Sequence, residues 1–191
     1  MPNMYKDSIN VFTDANEKNI GYHFNDVTEK KQAKYKSVTL NELDAIRYAA
    51  KKVKKMVKGD ETFYWDTNNI TFYCDNTNAI KAVQSILMDT DSMLPPDKDR
   101  INLESEEVKY ILSKIKKHFD ELYDYGMMIN IIYSPAHSQN YEEGKYKFKQ
   151  FNSKDTVYIF NNMSKKHRKR YINKLIRENN NIDQYIKVKA I

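Results

Sequence analysis

Ile9-Asn10-Val11-Phe12-Thr13-Asp14 is a short run of branched and aromatic residues that closes on a carboxylate. Such residues suit a pleated, half-buried strand, and the run is too short for a stable helix. Working outward, residues 16–19 supply turn chemistry and residues 20–24 read as a second strand. Residues 32–38, Gln-Ala-Lys-Tyr-Lys-Ser-Val, read as a third. Three strands with short connections imply an antiparallel meander. The period then changes. Leu40, Leu43, Ile46, Ala50, Val53 and Val57 fall on one helical stripe that Gly59 ends. Residues 70–74 (ITFYC) read as a fourth strand, and Ala79, Ile80, Val83, Ile86 and Leu87 as the apolar side of a second helix. Pro95 and Pro96 mark a break, residues 108–122 a long third helix, and residues 127–133 (MMINIIY) a fifth strand. Residues 134–150 read as a long polar loop, 151–162 as a short helix and 165–177 as one more. The expectation is an α/β fold with a mixed five-stranded sheet and helices on both faces. The first, fourth and fifth strands are parallel because helices connect them.

The 191 residues suffice for one core, and 40% hydrophobic with 30% charged residues excludes a disordered or fibrous chain. No apolar run is long enough to span a bilayer, and the first residues carry no apolar leader core. Cys74 is the only cysteine, so no intrachain disulfide forms and a thiolate zinc centre is not expected. These features lead to the expectation of a cytoplasmic, monomeric protein. The net charge of +6 is uneven: residues 164–191 hold nine Lys or Arg against two acids, leaving the rest close to neutral. The expected organisation is therefore a folded body over residues 1–163 and a basic extension over 164–191. Lys165, Lys166, His167, Arg168, Lys169 and Arg170 are candidate phosphate contacts.

Four acids stand where chemistry could use them. Asp14 closes the first strand and Asp75 the fourth, and active sites of open α/β sheets lie beyond the carboxyl ends of parallel strands. Glu42 lies in the first turn of the first helix, and Asp155 near the start of a later one. Clustered carboxylates repel unless a cation joins them, and Mg²⁺ or Mn²⁺ prefers such oxygen donors. Each acid also has a purely structural reading. Asp14 could start an Asx turn with Asn16, and Thr39-x-x-Glu42 matches a capping box. Asp75 could cap the second helix, and Asp155 could serve a helix dipole.

Together the residues carry a family resemblance. Val11-Phe12-Thr13-Asp14, Asn41-Glu42-Leu43-Asp44-Ala45-Ile46 and Tyr73-Cys74-Asp75-Asn76 resemble the first strand, first helix and fourth strand of ribonuclease H. Ile132-Tyr133-Ser134-Pro135-Ala136-His137-Ser138 resembles that family's exit from the fifth strand, and Asn152-Ser153-Lys154-Asp155-Thr156-Val157 its final helix. The resemblance implies a ribonuclease H-like fold and endonucleolytic cleavage of the RNA strand of an RNA–DNA hybrid. It implies two Mg²⁺ (or Mn²⁺) ions held by Asp14, Glu42, Asp75 and Asp155, with His137 assisting proton transfer. The stretch between His137 and Asp155 is longer than the family's, so Glu142 or Glu143 could replace Asp155. The basic handle that some members carry is replaced here by an acidic stretch around Asp89, Asp91 and Asp97, and the C-terminal basic segment is expected to substitute for it. Asn16, Asn41, Asn76 and Thr77 lie close in sequence to the acids and could reach sugar hydroxyls. Two competing functions share the pattern: DNA-directed integrases and resolvases, the former with the last acid on the final helix, and non-catalytic nucleic-acid-binding scaffolds.

Overall fold

The computed structural model describes residues 7–59, 67–87 and 105–188. The elements run β1 (Ile9–Ala15), β2 (Asn19–Phe24), β3 (Val27–Gln32), α1 (Val38–Gly59), β4 (Asn69–Cys74), α2 (Thr77–Gln84), α3 (Glu106–Asp124) and β5 (Met128–Tyr133), and close with α4 (Tyr141–Phe151), α5 (Lys154–Asn161) and α6 (Lys165–Lys187). The sheet order is β3-β2-β1-β4-β5. The first three strands form an antiparallel meander, and β1, β4 and β5 are parallel.

Strand alternation sends successive side chains to opposite faces. Val11, Phe72 and Ile131 pack against Leu43 and Ile46 of α1 and Ile115 and Phe119 of α3. Phe12, Tyr73 and Ile132 point the other way, toward Phe148, Phe160, Tyr171, Ile172 and Leu175 of α4, α5 and α6. Each face thus has its own core.

Three expectations are corrected. The third strand is Val27–Gln32 and not residues 32–38. Asn25 and Asp26 make a tight hairpin with Asn25 at φ 51°, a left-handed conformation that asparagine tolerates. The strand's sequence, VTEKKQ, is polar because it is an edge, so no apolar alternation advertises it. Second, residues 134–150 are only partly loop. Asn140 caps α4 by accepting a hydrogen bond from the Glu143 amide (3.0 Å). The helix buries only Tyr141, Gly144 and Phe148, too narrow a stripe to stand out in the sequence.

Third, the basic segment is not an extension beginning at residue 164. Helix α6 reaches Lys187 and buries Tyr171, Ile172, Leu175, Ile176, Asn179, Ile182 and Ile186 against the sheet. It approaches closely enough to demand glycine at two places. A Cβ on Gly144 would stand 2.6 Å from Ile172 Cγ2, and one on Gly21 2.6 Å from Ile186 Cγ2. Polar latches fix it further: Tyr73 and Tyr171 share a hydroxyl hydrogen bond (2.8 Å), and Asn19 Nδ2 donates to the Ile186 carbonyl (2.9 Å). A stripe of seven buried residues makes α6 an integral layer of the fold. The break at Pro95 and Pro96 and the acidic stretch from Asp89 to Asp97 lie outside the described residues.

Candidate active site

The parallel register of β1 and β4 aligns Phe12 with Tyr73, whose rings stack at 4.7 Å between centroids. Asp14 and Asp75 each follow two residues later. They therefore emerge at the same level, on the same face and at the carboxyl end of adjacent strands. Glu42 reaches this point from the first turns of α1, and Asn179 and Asp183 from the last turns of α6.

Neighbouring residues take over the structural duties that could have explained the acids. Asn16, not Asp14, makes the turn, its Oδ1 accepting from the Lys18 and Asn19 amides (both 2.8 Å). Asn76, not Asp75, caps α2 by accepting from the Ala79 amide (2.9 Å). Ser37 Oγ accepts from the Leu40 amide (3.3 Å) at the start of α1, and Glu42 is 3% exposed. The three carboxylates are thus free of capping work. Asp14 and Glu42 are buried, and Asp75 lies half-buried beside them.

Their electrostatics follow. Burial, then the charge of Asp75, pushes the Asp14 carboxyl up to about 8. Burial, then Asp75 and Asp14, raises Glu42 well above the usual carboxylate range. Burial raises Asp75 as well, although the nearby His137 and a hydrogen bond from Asn179 act against it. Asp183, itself paired with Lys187 (2.7 Å), adds further repulsion on both Asp14 and Asp75. Asp14 Oδ1 accepts from the Ala15 amide (2.9 Å), while its Oδ2 is buried without a hydrogen-bond partner. Mutually repelling carboxylates withdrawn from water, one with an orphaned oxygen, are the donor set that a hard divalent cation satisfies. Asp14, Glu42 and Asp75 fit such an ion, with the Asp183 charge close enough to act on two of them.

The structure gathers Asp14, Glu42 and Asp75, with exposed His137 beside Asp75 on the loop after β5 at a left-handed φ of 52°. It does not bring Asp155 to them. Asp155 is exposed on the first turn of α5, where Ser153 makes the cap, and the acid whose charge bears on the cluster is Asp183. Glu142 and Glu143 lie on the first turn of α4, where Glu143 pairs with Lys147 (3.0 Å), and neither is among the main charges that act on Asp14, Glu42 and Asp75. Asp183 and Asn179 are hard to single out in the sequence because the basic charges of their helix dominate it. Their i, i+4 spacing next to Ile182 and Ile186 was the available signal.

Asn41 also departs from expectation. It is fully buried, donates to the Asn16 and Tyr35 carbonyls and accepts from the Tyr35 amide, so its amide braces the β3–α1 connection and cannot meet a sugar. The Oδ1 atoms of Asn16 and Asn76 are engaged in their turn and cap.

The basic residues form a separate surface. Elsewhere Arg47, Lys54, Lys58, Lys116, Lys147 and Lys187 each meet an acid. Among the described residues no acid pairs with Lys165, Lys166, Arg168, Lys169 or Arg170, and Arg168 Nε is buried without an acceptor. Helix α4 extends this face. Partial burial, with Lys145 and Arg168 close by, draws Lys149 below the usual lysine range. Along α6 the span from Arg168 to Asn179 is eleven residues, about 16 Å, which separates this surface from the carboxylates.

No protein-family model matches the chain, and no curated protein matches its sequence. No helix among the described residues is long and apolar enough to cross a membrane.

Proposed function

We propose that the chain is a metal-dependent endonuclease of ribonuclease H type, with a ribonuclease H-like fold, acting on the RNA strand of RNA–DNA hybrids. The observation that carries this reading is the in-register placement of Asp14 and Asp75 at the carboxyl ends of adjacent parallel strands, with Glu42 delivered between them from the first helix.

Asp14, Glu42 and Asp75 would hold the cations, with Asp183 completing the set. Two Mg²⁺ (or Mn²⁺) ions so bound supply an activated water and charge stabilisation for phosphodiester hydrolysis. The protein's own groups do the rest. Asn179, hydrogen-bonded to Asp75, fixes that carboxylate's orientation. His137, exposed beside Asp75, is placed to give or take a proton at the departing oxygen. Lys165, Lys166, Arg168, Lys169 and Arg170, with Lys145 and Lys149, grip the backbone of the duplex away from the cut.

One observation favours a second reading. The acid nearest to completing the set, Asp183, lies on the final helix, as in DNA-directed integrases, whereas Glu42 on the first helix favours ribonuclease H. A substrate panel separates them. The purified protein is incubated with labelled RNA–DNA hybrid, double-stranded RNA and double-stranded DNA, with Mg²⁺ or chelator, beside Asp75→Asn. Chelator-sensitive cutting of the hybrid RNA strand, lost in Asp75→Asn, is the expected result. Cutting of DNA alone selects the integrase-like reading. Binding without cutting by wild type, under Mg²⁺ or Mn²⁺, selects a scaffold.

A further inference from the structure

The sole cysteine of the chain lies inside the carboxylate cluster. Cys74 is fully buried at the end of β4, one residue before Asp75, and its Sγ stands 3.7 Å from Glu42 Oε2. Glu42, Cys74 and Asp75 each offer one ligand atom, and these atoms all lie within 4.8 Å of one another. Tetrahedral zinc takes thiolate at ~2.3 Å and carboxylate oxygen at ~2.1 Å, which sets those two ligand atoms about 3.6 Å apart. The observed sulfur–oxygen separation has that length. An ordinary hydrogen-bonded thiol has the same separation, and a second feature points to a cation. Asp14, 2% exposed and within hydrogen-bond reach of Glu42, keeps its Oδ2 buried without a donor. The oxygen side of this cluster therefore also holds a buried acceptor that no hydrogen-bond donor satisfies. The sulfur already has the support a metal thiolate needs, because the Asn76 amide donates to Sγ (3.4 Å).

We propose that Cys74 is a ligand, with Glu42 and Asp75, for a thiophilic divalent cation such as Zn²⁺, which competes at this site with the hard cation and silences it. On binding, the sulfur–hydrogen bond breaks as the sulfur–metal bond forms, and the proton leaves to solvent. Hard cations use the oxygen donors and bypass the sulfur, so the same pocket distinguishes the two classes of ion by Cys74 alone. The inference rests on the cluster being a cation site and is independent of which nucleic acid it cuts.

Cadmium is the probe, since a sulfur–cadmium bond absorbs in the ultraviolet by charge transfer and the chain has one sulfur of this kind. The full chain, freed of metal, is titrated with Cd²⁺. The expected result is a charge-transfer band that saturates at one ion per chain and is absent in Cys74→Ser. Competition against a chromophoric chelator is expected to show Zn²⁺ affinity reduced about 10–100-fold in that variant, while its melting shift with Mg²⁺ is retained. Retained near-ultraviolet circular dichroism checks that the variant is folded. If it is not, the wild-type band and its loss in Asp75→Asn decide instead. Saturable Cd²⁺ binding by calorimetry without the band, or no Cd²⁺ binding at all, overturns the proposal. A band in a protein that cuts no hybrid leaves the inference standing and removes the nuclease reading. Hybrid cleavage without a band does the reverse.

Discussion

Replacing Asp14 by Asn should make the metal-free protein more stable and the Mg²⁺-loaded protein less so. In the folded chain the carboxyl is held at about 8, against 3.8 when exposed. At ~1.4 kcal/mol per pH unit, keeping Asp14 ionised costs on the order of 5 kcal/mol in the metal-free state. Asparagine removes the charge at nearly constant shape. Its Oδ1 can keep the Ala15 amide bond, and its amino group replaces the orphaned Oδ2 with a donor facing Glu42. The amide must still be desolvated, so the net gain is expected near 2 kcal/mol, or about 4–8 °C in Tm for a chain of this size. The sign against pH follows from the raised folded value. Below 3.8 both states are protonated and the two proteins should differ little from this cause. The wild-type penalty grows as pH rises from 3.8 and is complete above about 8. Thermal melts in chelator at pH 5 and pH 8 measure this directly. Saturating Mg²⁺ should then invert the order, since a ligand at a hundredfold its Kd adds about 2.7 kcal/mol to a protein that binds it. An Asp14→Asn protein that melts with or below wild type at pH 8 in chelator would refute the claim that repulsion and burial dominate this site.

Three further outcomes are expected. Asp183→Asn should lower hybrid cleavage strongly while Asp155→Asn leaves it within about twofold; the reverse ranking, measured at equal Mg²⁺, would restore Asp155 to the site. Neutralising Lys165, Arg168 and Lys169 together should flatten the slope of log binding constant against log salt by up to about 0.9 for each phosphate these cations neutralise, read by hybrid binding in chelator, where cutting cannot interfere. Gly144→Ala should cost about 1–2 kcal/mol despite alanine's better helix propensity, because its Cβ would meet Ile172 Cγ2 at 2.6 Å and Ile176 Cδ1 at 2.9 Å; an unchanged denaturant midpoint would show that α6 can shift to accommodate it.

Much of the sheet was legible because local chemistry sufficed. INVFTD, ITFYC and MMINIIY are β-rich runs bounded by turn residues, and the stripe from Leu40 to Val57 has one helical period. Asp14, Glu42 and Asp75 could be singled out because each sits at the end or start of such an element. The edge strand β3 could not be read so directly, since its exposed ladder favours polar residues, and α4 hid behind a stripe one of whose three buried members is glycine. What the sequence determined by itself was the order of elements as far as β5 and the acids that close β1 and β4. The tertiary structure decided the rest. Register set Asp14 and Asp75 side by side on one face, and asparagines at 16 and 76 relieved them of turn and cap duties. Helix α6, whose charges suggest an appendage, packs closely on Gly21 of the sheet and Gly144 of α4 and brings Asn179 and Asp183 to the cluster in place of Asp155. Which acid completes a site depends on how a helix packs across a sheet. That is set by close approaches between residues far apart in the chain, such as Gly21 and Ile186, which no local pattern records.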